Sequence, residues 1–430
     1  MSAEMLLHYL WEHRLWKYGT LRTVEGQRVE VLDPGIHNDD SGPDFFNAKI
    51  IIGEKTWAGN VEIHTSASDW FRHGHQDDPA YQSIILHVVG HSDAEIKRPD
   101  GSVIPQLILP YTADFRRRYL SMVESPAEPA CASELHTLDP LYVTDWLTAL
   151  AYERIYAKVD RVFQYLRRVN DDWQAAAYIT LARALGFSTN AEPFERLAVA
   201  TPLRFMLKHS SQPALIEAIL FGQSGFLDAK PSAPDDVLYI EQLRIDYDFL
   251  RAKYGLSPLE SPGWKLARMR PPNFPHRRIA ALCSMISDGF TFGRKFSHVS
   301  SLDEARQLFN CQINGYWESH FSFGGNAAKA PRAFSPETVG SLIINALVPL
   351  LYAYGLHFGN DRKMNTAIEI MQALGAEHNS LTRIFTDRGI SCDDAFTSQA
   401  LIQLRRAYCE PRKCLFCRIG HRILAAKSHP

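Results

Sequence analysis

The sequence predicts an α+β N-terminal domain, a mixed sheet flanked by helices, followed by a larger all-α domain. Three observations carry this. Residues 1–123 alternate short β-branched and aromatic runs with Gly and Pro turn signals. Residues 124–140, ESPAEPACASELHTLDP, form a connection rich in Pro, Ala and Ser. From Leu141 to residue 430 the periodicity is almost wholly helical, as in WLTALAYERIYAKVDRVFQYLRR and DDVLYIEQLRIDYDFLRAKYG.

Taken in order, a helix is predicted over Ala3–Tyr18, ended by Gly19. GQRVEVLDPG reads as a strand closed by the Pro34-Gly35 turn. FFNAKIIIGEKTWAGNVEIHTS is a β-hairpin broken at Gly53-Glu54-Lys55. SASDWFRHGHQDD reads as a helix with Ser68 or Asp69 as N-cap and Pro79 as its stop. SIILHVVG is a further strand, and AEIKRPDGSVIPQLIL a hairpin turning at Pro99-Asp100-Gly101.

The totals exclude several classes. At 430 residues, 46% of them hydrophobic, the chain is long enough for two ordinary globular domains. The formal net charge of −2 creates no global positive field, so contact with a polyanion must come from local basic patches. The N-terminus lacks the basic start and apolar run of a signal peptide. The most apolar window, 340–359, carries Asn345, Pro349 and His357, which suits a buried core helix better than a membrane span. A cytoplasmic protein without membrane attachment is the expectation.

The hairpin holds the candidate chemistry. A turn centred near residue 54 makes paired positions sum to about 108, setting Asp44 opposite residue 64 and Glu62 opposite residue 46. Alternation then points Asn60, Glu62 and His64 to one face, with Asp44 joining them in an even register. Two carboxylates and an imidazole suit a hard divalent cation, Mg²⁺ or Mn²⁺, and His64 is placed to orient or deprotonate a water. Phosphodiester hydrolysis is the reaction that such a site serves most naturally.

GPDF (42–45), VEIH (61–64), a helix and the strand SIILHVV resemble the core of the PD-(D/E)XK nuclease superfamily, the restriction-endonuclease-like fold. The resemblance implies that Asp44 and Glu62 are catalytic metal ligands, that His64 stands in the place of the superfamily's lysine, and that Glu12 supplies the extra acid some members carry on the first helix. The whole chain also resembles an uncharacterised bacterial family, a domain of unknown function. The runs HNDDSGPDFFNAKI, WAGNVEIHTSASDWFRHGHQDDPAYQSIILHVV, MRPPNFPHRR and YCEPRKCLFCRIGHRIL carry that likeness.

Two further clusters stand out. His64, His73, His75, Asp77, Asp78 and His87 fall within the same module. On a helix His73 and His75 diverge by about 200°, so both reach one metal only where the helix ends at Gly74. Imidazoles with a carboxylate suit Zn²⁺ or Mn²⁺; otherwise His73, His75 and His87 contact substrate or pack as polar residues. At the C-terminus, Cys409-x4-Cys414-x2-Cys417 has ligand spacing, with His421, Cys392 or Cys131 as the open fourth position. Zn²⁺ is the leading ion there and an iron–sulfur cluster the second.

Arg268, Arg270, Arg277 and Arg278 interleave with Trp264 and Phe274 in WKLARMRPPNFPHRR, a pattern able to contact phosphates and stack on bases. The leading expectation is a divalent-metal-dependent nuclease with nucleic acid as its partner. One alternative is a nuclease-like binding or scaffolding protein without catalysis. Another is a zinc hydrolase, which predicts His64, His73 and His87 around one point.

Overall fold

Apolar residues at helical spacing near the N-terminus form α1 (Ala3–Glu12), with Leu6, Leu7, Tyr9, Leu10 and Trp11 buried. The computed structural model describes residues 3–16, 20–38, 41–111, 113–231, 233–260, 263–326 and 330–426. The helix is shorter than expected. The chain leaves it at His13, and Arg14 adopts a left-handed φ of 53°; residues 17–19, where the predicted end lay, are outside the described ones.

Short strands β1 (Leu21–Arg22), β2 (Arg28–Asp33) and β3 (Ile36–His37) lead into the hairpin, β4 (Phe45–Ile52) and β5 (Lys55–Ser66). A crossover follows, made of α2 (Asp69–Arg72) and two 3₁₀ turns, His75–Asp77 and Pro79–Ser83; it returns the chain to β6 (Ile84–His91) and then β7 (Gln106–Ile108). The sheet order is β1-β2-β4-β5-β6-β7, with β3 pairing β4. Pairing is antiparallel from β1 through β5 and parallel for β5–β6 and β6–β7. As expected of a strand in a parallel pair with both faces covered, Ile84–Val89 of β6 is buried throughout.

The hairpin register departs from the expected sum of 108. Next to the turn, Ile52 faces Lys55 and Lys49 faces Ala58, sums of 107. That odd register would put Asp44 on the face opposite Glu62. A β-bulge between Phe45 and Ala48 corrects it, so that Phe45 faces Val61 and, one residue on, Asp44 comes opposite Glu62. Asn47 sits in the bulge at φ 56°, a left-handed conformation that Asn tolerates better than most residues, and its N–H donates to Asn60 Oδ1 at 3.1 Å. Gly59 is required on the other strand. A Cβ there would lie 2.4 Å from Ile85 Cγ2 and 2.8 Å from the Ser83 carbonyl.

The hairpin expected over Ala94–Leu109 reduces to one bridge, Lys97 to Val103, around Gly101 at φ 82°. Pro99 and Pro105 lack the N–H groups that a longer ladder needs, and the second arm instead becomes β7 alongside β6.

Contacts divide the chain into two units: Met1–Trp146 with Arg405–Pro430, and Leu147–Leu404. The first contains the sheet and, from the far end of the sequence, the cysteine segment. The second is helical apart from the short β-pair His320–Ser322 and Gly325–Asn326. Among the described residues one helix, Pro336–Phe358, is long and apolar enough to cross a membrane, and 72% of its apolar window is buried in the protein.

Replacing Asn47 tests the bulge. Asn47→Gly is expected to be near neutral in thermal unfolding. Asn47→Val, which is β-branched and disfavours positive φ, should destabilise by about 1–2 kcal/mol.

Candidate functional site

Asp44 and Glu62 clasp the open end of β4 and β5. The Asp44 N–H donates to Glu62 Oε2 at 3.1 Å, and the Ile63 N–H donates to Asp44 Oδ2 at 2.9 Å. Each carboxylate therefore spends one oxygen on the other's strand, leaving Glu62 Oε1 turned inward. Glu62 Oε1 lies 3.2 Å from His75 Nε2 and 3.7 Å from His64 Nε2.

A third imidazole, His73, joins these two. One ring nitrogen each of His64, His73 and His75 lies within 4.8 Å of the others. The crossover makes this possible. α2 stops at Arg72, His73 is its C-cap, and Gly74 at φ 77° reverses the chain before the 3₁₀ turn that starts with His75. A continuing helix would have turned the two rings apart. Tyr81 stacks on His75 at 3.8 Å, and Trp70 packs edge-on against His64, His75 and His87. His87, in register with Glu62 on the parallel neighbour, places Nε2 2.9 Å from His64 Nδ1. His64 thus has Nδ1 held from behind and Nε2 facing the cluster, 3.1 Å from His73 Nδ1.

Helix α1 adds two groups. His8 Nε2 is 3.3 Å from Asp44 Oδ2, and Glu4 one turn earlier is half-buried. Glu4, His8, Asp44 and Glu62 influence one another electrostatically.

Burial drives the charges in opposite directions. Glu62 is pushed up to about 9, first by desolvation and then by the Asp44 charge. His64 is pushed down to about 2 by desolvation and the neighbouring imidazoles, and His87 to about 4 chiefly by desolvation. His75 is lowered by burial as well. His8 goes the other way. Desolvation opposes its protonation, but the hydrogen bond and charge of Asp44, with Glu4 and Glu62, outweigh it and raise its pKa.

These states suit a cation. Neutral imidazoles present lone pairs, and His75 Nε2 is buried without a hydrogen bond of its own. A cation there would take the place of the proton that Glu62 otherwise retains. Among the described residues no Arg or Lys forms an ion pair with Asp44 or Glu62; the nearest basic groups are histidines. Imidazole with carboxylate matches Zn²⁺ or Mn²⁺ better than Mg²⁺, which prefers oxygen ligands.

A family model describing a protein of unknown function, DUF2851, matches residues 4–380. The chain belongs to the DUF2851 family. No curated protein and no solved structure matches it. The matched span of this DUF2851 member contains α1 from Glu4 onward, the whole sheet and every residue of the histidine–carboxylate cluster.

Other residues singled out in the sequence fall elsewhere. Glu12 lies two turns along α1 from Glu4, and its charge acts on Tyr9 and His13, not on the cluster. Glu4 is the α1 acid that faces the site; the i, i+4 pair Glu4/His8 was the available signal. His87 does not share the point formed by His64 and His73: it backs the far edge of the His64 ring, and His75 takes the place expected of it. Asp77 is exposed and accepts from Gln76, while Asp78 accepts from the Ala80 N–H and caps a turn.

Arg268 and Arg270 are exposed, as a phosphate-binding role requires. Arg277 is 2% exposed and donates to the Trp317 and Pro331 carbonyls. Arg278 is equally buried, bonding Asn273 Oδ1 and lying over Phe187. Their guanidiniums hold the chain together inside the helical unit. Cys392 belongs to the Leu147–Leu404 unit, and His421 Nδ1 pairs with the Tyr9 hydroxyl at 2.5 Å.

The pKa shifts set a pH dependence for the metal-free protein. His64 and His87 have lowered folded values, so their contribution to stability is full above pH 6.5 and is lost on acidification. Glu62 has a raised value, so its contribution is full below pH 4.5 and is lost as pH rises toward 9. Between pH 6.5 and 5 His64, His75 and His87 lose and Glu62 gains, a net loss of stability from these four groups. Thermal melts in chelator should show Glu62→Gln raising the midpoint at pH 8 and having no such benefit at pH 4.

Proposed function

We propose that this chain is a divalent-metal-dependent hydrolase of phosphodiester bonds, with its centre at Glu62, His64, His73 and His75. The observation that carries the reading is the convergence of one ring nitrogen each of His64, His73 and His75, with Glu62 Oε1 against His64 and His75 at the open end of a strand pair and Asp44 clasped alongside. The strand order supports the nuclease-like part: an antiparallel hairpin continued by a parallel strand across a helical crossover, with α1 packed on β5 and β6. A bound divalent ion supplies Lewis acidity there and lowers the pKa of a water.

The residues divide the remaining work. His64 acts as a ligand in this reading rather than as the lysine's stand-in, because its lowered pKa keeps it neutral and His87 fixes its ring through Nδ1. Asp44 holds the strand end with one oxygen and His8 with the same carboxylate. His8, raised toward working pH by Asp44, is the group suited to hand a proton to a leaving alkoxide. Nucleic acid is the proposed substrate class.

The test is cleavage of single- and double-stranded DNA and RNA by protein loaded with Mn²⁺, Zn²⁺ or Mg²⁺. Cleavage is expected with Mn²⁺ or Zn²⁺. Glu62→Gln and His75→Ala should each reduce it by about 100-fold or more. His64→Lys separates the two roles of residue 64: retained activity would restore the lysine analogy, while loss of metal supports the ligand role. Absence of cleavage by metal-loaded wild type on every substrate sinks the proposal.

A further inference from the structure

Four of the seven cysteines come together, one of them far in sequence from the other three. Cys131 lies in the connection before the helical unit; Cys409, Cys414 and Cys417 lie after it. Cys131 and Cys409 each feel the charges of Cys414 and Cys417, and Cys409 also feels Cys131. The two segments are pinned to each other by an Arg405–Glu128 ion pair and by Arg412 Nη1 donating to the Ala127 carbonyl at 3.4 Å. All four are free thiols.

We propose that Cys131, Cys409, Cys414 and Cys417 together ligate one thiophilic metal centre, a zinc ion or an iron–sulfur cluster, that closes the N-terminal unit onto the C-terminal segment.

The surroundings are built for thiolates. Cys417 stands at the start of the C-terminal helix Arg418–Ala426, where the Ile419 and Gly420 N–H groups point to its sulfur. The Trp146 indole N–H, 7% exposed as a residue and without any other partner, also lies against that sulfur. Gly420 lets the Cys414 turn approach the helix, since a Cβ there would fall 2.1 Å from the Cys414 carbonyl oxygen. Arg405 and Arg412 lie near Cys409 and Cys414 and offset the negative charge of a tetrathiolate centre.

Empty, such a cluster is costly to ionise. Burial and mutual repulsion push Cys131 up to about 12 and Cys414 to about 11. Metal binding reverses this: each thiol gives its proton to solvent as its sulfur bonds the metal. Among the described residues no three of these sulfurs fall within 4.8 Å of one another. A single zinc, with Zn–S near about 2.3 Å, gathers its sulfurs more closely, so the spacing favours a cluster with its ligands spread over several irons. The other fourth-ligand options lose their basis. Cys392 has Asp393, Asp394 and Glu377 for neighbours, and His421 is taken up by Tyr9.

The full chain carrying Glu62→Gln and His75→Ala, which empties the histidine site, is purified without oxygen and analysed for zinc, iron and acid-labile sulfide. Iron with matching sulfide, or one equivalent of zinc, is expected. Cys131→Ser should lose that metal and Cys392→Ser should keep it. Where Cys131→Ser is too unstable to purify, chelator treatment of the parent should speed amide exchange in both 127–135 and 405–420. Absence of metal after reconstitution with zinc alone or with ferrous iron and sulfide overturns the proposal, as does full retention by Cys131→Ser. Because the histidine site is disabled throughout, neither result bears on the hydrolase reading.

Discussion

The reciprocal hydrogen bonding of Asp44 and Glu62 is the constraint on which the cluster depends. Each carboxylate accepts an N–H from the other's strand, which fixes both side chains without a basic residue between them. The arrangement fails unless both residues share a face, and they share one only because the strand gains a residue at Asn47. A backbone irregularity three residues away thus decides whether Asp44 joins the face of Glu62 and His64 or the opposite one.

Once the carboxylates are fixed, electrostatics follows. Glu62 is 3% and His64 1% exposed, too dry for either to carry a charge unaided. Glu62 retains its proton and His64 declines one, so without metal these two rest neutral in an arrangement that suits an ion. Elsewhere in the same unit, the cysteines repeat this condition with thiols. In both places chain segments that would not hold polar groups together by themselves are brought close by backbone geometry: the left-handed Gly74 in one, the Gly420 close approach in the other.

Much of the first unit was legible in the sequence. The hairpin, the β6 strand and the change to helical texture follow from periodicity and turn residues, whereas the helix read as far as Pro79 stops at Arg72 and gives way to 3₁₀ turns. The even face relation of Asp44 and Glu62 was anticipated, but through a different register, because Asn47 gives no local sign that it bulges. Glu4 and His8 were missed because the acid sought on α1 was Glu12, and only packing against β5 reveals which turn of a helix faces a site. The Arg277 guanidinium reads as a phosphate contact until its carbonyl partners, from residues 40 and 54 positions away, are seen. Cys131 stood level with Cys392 and His421 for the same reason: long-range proximity leaves no trace in spacing.

The interruption of the first unit by Leu147–Leu404 has a consequence for biosynthesis. A ribosome adding about 5–20 residues per second needs roughly ten to fifty seconds to traverse the intervening helices before Arg405 emerges. Throughout that interval the sheet must wait for the segment that completes its unit. Nascent chains stalled before Cys409 would carry a finished helical insert on an unfinished host, a state that quality-control proteases are suited to recognise.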